Sequence, residues 1–263
     1  MKKILVPIDF SETSMNAFQY AIALFGTTAA EFTLLHTYKA STRAFHMISI
    51  DKVMKDDAER EMDALVEKLQ TDHTGVSFQT KIVKSDPIST ITSLGNTGKY
   101  DYLLMGTKGA TGLREVFMGS VAGGVISRTS APVMVIPAGC IFESLTKITF
   151  AVSNNPFSAT TVKPLRDLTE EYKSRISVVH VTDEKDSQIE NILKPIQDLD
   201  PIITYAFGEG KIAKHLESHL QKQPTQMLCM IRSKRGFFDR IFGESVTMKQ
   251  TFNSPVPLLI LHE

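Results

Sequence analysis

The stretch ILVPID, at Ile4–Asp9, recurs in altered form as ITFAVS at Ile148–Ser153. Downstream of it, FTLLHTY at Phe32–Tyr38 recurs as ISVVHVT at Ile176–Thr182, with the same offset between the copies. All four stretches are short and mostly apolar, which is typical of buried strands. The chain therefore contains two copies of one strand-based unit, and the period is too long for a solenoid repeat.

A third pair of similar stretches lies toward the end of each copy. REVFMGSVAGGVISRTSAPVMVI at Arg114–Ile136 aligns with DRIFGESVTMKQTFNSPVPLLIL at Asp239–Leu261, with a smaller offset. The second copy has therefore lost residues in its middle. We predict two tandem domains, residues 1–139 and residues 145–263, each large enough to bury its own core.

Each copy alternates short strands with helices, which predicts a parallel sheet covered by helices, because parallel strands need crossover connections. In the first copy the predicted strands are Lys3–Ile8, Phe32–His36, Val76–Val83, Tyr102–Met105 and Val133–Ile136. The predicted helices are Ser14–Phe25, Asp51–Leu69, Asp86–Leu94 and Ser120–Arg128. The predicted fold class is α/β, with two tandem five-stranded, Rossmann-like parallel-sheet sandwich domains.

The second copy is predicted to follow the same order with a thinner middle. Its second helix is shorter, near Gln188–Leu199, and is interrupted by Pro195. The elements that follow are Pro201–Phe207, Lys211–Lys222, Gln226–Ile231 and Leu258–Leu261.

The composition is that of a globular protein without a dominant charge. The 263 residues include 29 acidic and 29 basic side chains, so the formal net charge is zero, which gives no electrostatic reason to expect a nucleic acid or a membrane as partner. No apolar run is long enough for a membrane-spanning helix, and the N-terminus lacks the features of a signal peptide. We expect a cytoplasmic protein. Cys140 and Cys229 have neither metal-binding nor redox spacing and are expected to be structural.

The stretch GTKGATGLREVFMGSV, at Gly106–Val121, is rich in glycine but matches neither the P-loop nor the dinucleotide fingerprint. Gly106 ends the predicted fourth strand, and Ser120 begins the helix that follows. Ligands of open parallel sheets bind at the carboxyl ends of strands, and the free N–H groups at a helix start favour anions. The loop can therefore bind a chain of phosphates, with Lys108 adding charge. A glycine-rich loop can also simply turn a corner.

Other polar positions are expected at the same edge of the sheet. Asp9 directly follows the first strand, and its carboxylate can hydrogen-bond a ribose or a base, or cap a helix. Thr37 ends the second strand, where backbone groups can bind an adenine edge. Ser120 can cap its own helix, donate to a phosphate, or lie near a bound Mg²⁺, which prefers oxygen ligands.

Together these residues resemble the universal stress protein family. Its ATP-binding members carry G-x2-G-x9-G-[ST] after the fourth strand, and Gly106, Gly109, Gly119 and Ser120 fit that spacing without a gap. The aspartate after the first strand and the apolar fifth strand also fall in order. The resemblance covers the first copy from end to end and the second more weakly. It implies the adenine nucleotide alpha hydrolase-like form of the α/β fold.

The resemblance also implies the position of a bound ATP. Asp9 would face the nucleoside, the main chain of Thr37 would contact adenine, and Met105 would flank the site. The glycines of the motif, with Ser120 and Val121, would hold the phosphates, often with Mg²⁺ bound through them near Ser120. The full predicted set is Pro7, Asp9, Thr37, Met105, Gly106, Gly109, Gly119, Ser120 and Val121.

The second copy lacks this pattern. The aligned residues are Ser153 for Asp9, Ile231 for Gly106, Lys234 for Gly109 and Glu244 for Gly119. A carboxylate at Glu244 would repel phosphates, so we expect one nucleotide site per chain, in the first copy. The two copies resemble a homodimer fused into one chain, in which the fifth strands pair across a pseudo-twofold axis. Whether the chain also forms a homodimer stays open.

Two remaining motifs have simpler explanations than a site. His215 and His219 have a spacing that can ligate zinc, but the sequence offers no third ligand, and a solvent-facing helix surface is expected. RSKRGFFDRIF, at Arg232–Phe242, mixes basic and aromatic residues. It aligns with the glycine loop of the first copy and is expected to anchor to the core, as Leu113 and Phe117 would there.

Three further polar residues are expected to be structural. His36 and His180 end buried strands and are expected to be satisfied by local hydrogen bonds. Asp101, just before the fourth strand, is expected to be a surface turn residue.

The function expected is that of a cytoplasmic stress-response protein that binds ATP or another adenine nucleotide in its first domain and acts as a regulatory module. Two alternatives stay open: a slow ATPase or nucleotide-using enzyme, and a protein that binds another ligand or a partner through its second domain. The sequence shows no catalytic triad and no nucleophile with a base at a recognisable spacing. We therefore expect weak ATPase activity at most.

Overall fold

The computed structural model describes residues 1–39, 47–107, 119–182, 189–207, 212–233 and 254–263. We call residues 1–139 the first half and residues 145–263 the second half. The first half contains strands β1 (Lys2–Pro7), β2 (Ala30–Tyr38), β3 (Ser77–Lys84), β4 (Tyr102–Gly106) and β5 (Val133–Ile136). Its helices are α1 (Glu12–Phe25), α2 (Met47–Asp72), α3 (Pro87–Gly95) and α4 (Ser120–Ile126).

The second half repeats the alternation of strands and helices. Its strands are β6 (Lys147–Val152), β7 (Arg175–Thr182), β8 (Ile202–Phe207), β9 (Met227–Arg232) and β10 (Leu258–His262). Its helices are α5 (Lys163–Tyr172), α6 (Ile189–Ile192) and α7 (Ile212–Lys222), with a 3-10 helix at Lys194–Leu199. The predicted α/β fold class is confirmed.

The helix expected near Gln188–Leu199 is divided, as its proline suggested. The α-helical part ends at Ile192, and the chain continues as the 3-10 helix that contains Pro195. Proline has no backbone N–H to give to an α-helical hydrogen bond, so the helix cannot pass through this position unbroken.

The described strands form a single sheet in the order β3-β2-β1-β4-β5-β10-β9-β6-β7-β8. Neighbouring strands within each half are parallel, as predicted. β5 and β10 are antiparallel, with Leu258 opposite Val135 and Ile260 opposite Val133. The strand order of the second half is that of the first half in reverse, so the order has twofold symmetry about the β5–β10 pair.

The two halves share individual hydrogen bonds as well as strand order. In the first half Lys3 N donates to Asp101 Oδ2 at 2.7 Å, and Asp101 N donates back to Lys3 O at 2.8 Å. In the second half Lys147 N donates to Gln226 Oε1 at 2.8 Å, and Gln226 N donates back to Lys147 O at 3.1 Å. Asp101 is exposed, as expected, but it also holds the start of β1 against the start of β4.

Helices cover both faces of the sheet. One apolar layer packs beneath α1, α2 and α5, with Phe18, Met62 and Leu165 fully or nearly fully buried. The other packs beneath α3, α4 and α7, with Ile91 and Leu216 among its buried residues. No helix in the described parts of the chain has the length and apolar character needed to cross a membrane.

The ends of the first-half helices follow from local sequence signals. Ser11 caps α1, its hydroxyl accepting from Ser14 N at 3.3 Å, and Gly26 ends the helix with φ of 75°. Asp86 caps α3 and accepts from Ser89 N at 3.0 Å, with Pro87 in the first turn as predicted.

Candidate functional site

The predicted nucleotide-binding residues surround one cavity of about 340 Å³ at the carboxyl ends of β1, β2 and β4. The predicted residues on its wall are Pro7, Asp9, Thr37, Met105, Gly106, Gly119, Ser120 and Val121. Gly109 lies outside the described residues, as do Lys108, Leu113 and Phe117. The volume is within the range of small-molecule sites, roughly 300–1,000 Å³.

On the apolar part of this wall, the sequence predicted Met105 but missed Leu35, Pro87 and Ile91. Leu35 and Ile91 are each 1 % exposed and Met105 is 5 % exposed, and Pro87 at the start of α3 lies beside them. α3 connects β3 to β4, and only the folding of the chain brings it beside the ends of β1 and β2. The sequence predicted a helix at Asp86–Leu94 but not that Ile91 borders a cavity.

Asp9 is held in a local turn that leaves it charged. Its Oδ1 accepts from Ser11 N at 3.1 Å and from the Ser11 hydroxyl, and its own N donates to Ser14 Oγ at 3.4 Å. Partial burial acts to raise the pKa of Asp9, but the hydrogen bonds from Ser11 and Ser14 outweigh burial and leave the pKa below its ordinary value. Asp9 is therefore a carboxylate at neutral pH and a hydrogen-bond acceptor only. The cap of α1 is Ser11, not Asp9.

The backbone of Thr37 is open on one side. β1 and β2 pair only as far as Pro7 and Leu35, and Leu35 O still accepts from Ile8 N at 2.8 Å. On the other side of β2, Tyr38 O accepts from Ser85 N at 3.1 Å. Backbone groups alternate sides along a strand, so the N–H and C=O of Thr37 point past the end of β1.

Gly106 is required by packing inside the protein. A Cβ at this position would lie 2.4 Å from the Thr13 carbonyl oxygen and 2.8 Å from its carbon. The first turn of α1 thus lies directly on the end of β4, and both Thr13 and Gly106 border the cavity. Packing against α1 explains this glycine without a ligand, whereas the sequence suggested a phosphate-binding loop or a simple turn.

α4 begins at the cavity without a side-chain cap. Its N-cap is Gly119, with φ of −60° and ψ of 153°, and no side chain accepts from the first turn. Ser120 is the first helical residue, so the possibility that it caps the helix is wrong. Its exposed hydroxyl makes no hydrogen bond with the residues that the structure describes.

At the corresponding edge of the second half, the described residues line a cavity of about 20 Å³, bordered in part by Ser153, Phe157, Ile231 and Ser233. Ser153 Oγ accepts from Asn155 N at 3.3 Å, which is the same local turn that Asp9 makes with Ser11. Lys234 and Glu244 lie outside the described residues.

His36 and His180 both pack against aromatic rings at the ends of their strands. His36 is structural, as expected: its Nδ1 donates to Ile8 O at 2.8 Å, and its ring packs on Phe10 with centroids 4.7 Å apart. His180 is fully buried and packs against Tyr205.

The expectation of a solvent-facing surface on α7 is wrong for His219, which is only 9 % exposed. α7 packs its Leu216 and Leu220 against the sheet, and His219 lies on the same side. Burial, with a smaller effect of Lys147, lowers the pKa of His219. The side chain of His215 lies outside the description, and in the described ranges no group of three or more His, Cys, Asp or Glu side chains could hold a metal ion.

Both cysteines occupy structural positions. Cys229 is fully buried in β9, and burial raises the pKa of its thiol well above the ordinary value. Cys140 is partly buried, and burial, with a smaller effect of Glu143, raises the pKa of its thiol to about 11. A thiol with a raised pKa is a poor nucleophile at neutral pH.

The first half of the sequence is similar to known proteins of one family. The model of the universal stress protein family matches residues 1–137, about half of the chain. Two universal stress proteins of Methanocaldococcus jannaschii, MJ0531 and MJ0577, are each 28% identical to this chain, over 142 and 152 residues. The matches cover 51% of this chain and 81% and 94% of the two relatives.

The fold is similar over nearly the whole chain to a solved structure. The crystal structure of a universal stress protein from Archaeoglobus fulgidus DSM 4304 covers 98% of this chain and 95% of its own, with a TM-score of 0.74. At 18% identity this likeness concerns the fold alone. The family match over residues 1–137, just over half of the chain, shows that the chain belongs to the universal stress protein family.

Proposed function

We propose that the first-half cavity binds an adenine nucleotide, with ATP as the ligand, and that the protein acts as a nucleotide-dependent module in a stress response. One observation carries the proposal: a single cavity of about 340 Å³ joins an apolar wall, a charged carboxylate and the glycine-bordered start of a helix. These three surfaces match the base, the ribose and the phosphates of a nucleotide. Family membership supports the same assignment.

The base would lie against the apolar wall. Leu35, Ile91 and Met105 offer buried apolar surface to a flat ring. The open backbone of Thr37 adds one donor and one acceptor at the edge of this wall. The adenine edge also presents one donor and one acceptor, so two hydrogen bonds to main chain would select adenine without a dedicated side chain.

The ribose and the phosphates would occupy the two polar ends. Asp9, as a carboxylate, would accept from ribose hydroxyls and would repel phosphates, which orients the nucleotide with its phosphates away from β1. Gly119, Ser120 and Val121 would border the phosphates. Mg²⁺, bound by phosphate oxygens, would have a protein ligand in the Ser120 hydroxyl, which makes no hydrogen bond within the described part of the chain.

Titration calorimetry with ATP tests the proposal. Gly119 has an extended backbone with φ of −60°, so any residue is conformationally allowed there, and Gly119→Asp changes charge without imposing backbone strain. We expect Gly119→Asp to weaken ATP binding by at least a hundredfold, because a carboxylate would face the phosphates.

The matched control is Gly119→Asn, which has nearly the same shape without the charge. We expect it to lose affinity far less than Gly119→Asp does. Equal ATP affinity in Gly119→Asp and the wild type would contradict the placement of the phosphates, and absence of ATP binding to the wild type would contradict the function.

A further inference from the structure

Two side chains of the second half reach the last turn of α4 in the first half. Arg232, at the end of β9, donates from Nη1 to Ser127 O at 3.3 Å. His262, in β10, is 2.9 Å through Nε2 from Ile126 O. A carbonyl oxygen only accepts, so Nε2 carries the hydrogen and donates. Both contacts are partly buried and cross between the halves.

These donors meet carbonyls that the helix itself does not satisfy. The last carbonyls of any helix lack partners within it, and they form the negative end of its dipole. In α4, Gly123 O and Val125 O accept from residues just beyond the helix, namely Ser127 N and Thr129 N. Ile126 O and Ser127 O accept from the second half.

The same helix forms part of the cavity wall at its other end. Ser120, Val121 and Ala122 border the cavity, and α4 is only 7 residues long. The distance along its axis from the cavity to the Arg232 and His262 contacts is therefore about 10 Å. A short helix moves as a unit, so fixing its last turn also fixes its first.

The side-chain donors in this contact come from the second half. The repeat places Thr107 at the position of Arg232 and Pro137 at that of His262. The buried Thr107 hydroxyl makes no hydrogen bond with the residues that the structure describes, and a proline side chain has no donor. Within the described ranges, the first half therefore makes no equivalent side-chain hydrogen bonds to the second half from these two positions.

We propose that Arg232 and His262 are positioning residues for the first-half cavity. The second half, whose sequence lacks the glycine pattern, holds α4 in the orientation in which its first turn completes the cavity wall. This assigns the second half a role as a built-in partner of the nucleotide site. The proposal rests on the proposed function where nucleotide affinity is its readout.

The test compares two variants that weaken the α4 contacts with one control variant, all in the full chain, and adds one conservative variant. Arg232→Met and His262→Phe each remove one donor to α4 and keep much of the side-chain volume. Tyr172→Phe is the matched control, because the Tyr172 hydroxyl donates to Leu24 O across the same two halves but contacts α1 instead of α4. We expect ATP affinity to fall about fivefold to tenfold in the first two variants and less than twofold in the control. Arg232→Lys, which keeps a cationic donor, should recover part of the loss.

A second measurement needs no ligand and separates this proposal from the nucleotide proposal. Hydrogen exchange of the Gly123 and Ser127 amides reports opening of α4, since they donate to Gly119 O and Gly123 O. We expect exchange at least fivefold faster in Arg232→Met and His262→Phe than in Tyr172→Phe. If the wild type binds no ATP, hydrogen exchange alone tests the positioning role of Arg232 and His262. Faster exchange confined to Arg232→Met and His262→Phe supports that role. Equal exchange in all three variants would overturn it, as would equal loss of ATP affinity in all three.

Discussion

The two halves of this protein have the same order of strands but differ at the carboxyl ends of those strands. Among the residues that the structure describes, a cavity of about 340 Å³ lies at the carboxyl ends of β1 and β4, and one of about 20 Å³ lies at the equivalent ends of β6 and β9. The strand pairing is equivalent in the two halves: Ile4 pairs with Phe32, and Ile148 pairs with Ile176. The difference lies in the residues that follow the strands, so the scaffold and the site are specified separately.

Gly106 and its counterpart Ile231 are one difference between the two halves at this edge. Gly106 leaves room for the Thr13 carbonyl, and α1 begins at Glu12. The second half has Ile231 at the position of Gly106, and its corresponding helix, α5, begins only at Lys163, whereas the repeat places Pro156 at the position of Glu12. A side chain at position 231 would overlap the first turn of a helix placed as α1 is in the first half. Gly106 thus allows the first turn of α1 to lie on the end of β4.

The largest expected effect comes from giving the first half the residue of the second. Gly106→Ile should force the first turn of α1 away from β4, because the new Cβ overlaps the Thr13 carbonyl. We expect a loss of about 3 kcal/mol in the free energy of unfolding and loss of ATP binding. Urea unfolding and calorimetry would measure both. Gly119→Ala is the control, since its extended backbone accepts a side chain. A Gly106→Ile variant as stable as that control would show that Gly106 does not position α1.

The next effect concerns the carboxylate that the second half replaces with Ser153. Asp9→Asn keeps an acceptor for Ser11 N and removes the charge, so the local turn should survive. We expect ATP affinity to fall about tenfold or more, since hydrogen bonds to charged groups contribute about 1.5–3 kcal/mol. Unchanged affinity would indicate that Asp9 serves only its turn with Ser11.

The same variant has a pH signature. The pKa of Asp9 is below its ordinary value, so the stabilisation from its hydrogen bonds is present at neutral pH and is lost as pH falls through the folded-state pKa. In the wild type, ATP affinity should hold between about pH 6 and pH 8 and decline in acid. The Asn variant should lack the part of that decline that belongs to Asp9, and identical profiles would contradict a charged role.

The smallest effect is expected where the halves are alike. Asp101→Ala and Gln226→Ala each remove an acceptor for an N–H near the start of an equivalent strand, at Lys3 and Lys147. Each should lower the free energy of unfolding by about 1 kcal/mol and leave ATP affinity unchanged. Thermal unfolding of both variants would check this, and a loss of ATP binding in only one would show that these contacts also differ between the halves.

The sequence predicted what depends on local pattern. The alternation of strands and helices, the start of α3 at Pro87 and the structural role of His36 all follow from short-range signals. The cavity residues that belong to the family motif or follow the first two strands, such as Asp9 and Gly119, were predicted, because the carboxyl ends of parallel strands share one edge.

The features that the sequence did not predict depend on contacts between distant segments of the chain. Nothing near Gly106 in the sequence shows that Thr13 lies on it, and nothing in α3 shows that Ile91 borders the cavity. His219 was misplaced for the same reason: a helical period shows which residues share a face, but not whether that face lies against the sheet. The contacts of Arg232 and His262 with α4 required both the β5–β10 pairing and the position of α4.

The central claim is that each chain has one adenine nucleotide site, in the first half. Calorimetric titration of the full wild-type chain with ATP and Mg²⁺ tests it most directly through the stoichiometry. We predict one ATP bound per chain, and none in the same concentration range in Gly119→Asp. Two equivalent sites per chain, or one site that persists unchanged in Gly119→Asp, would contradict the claim.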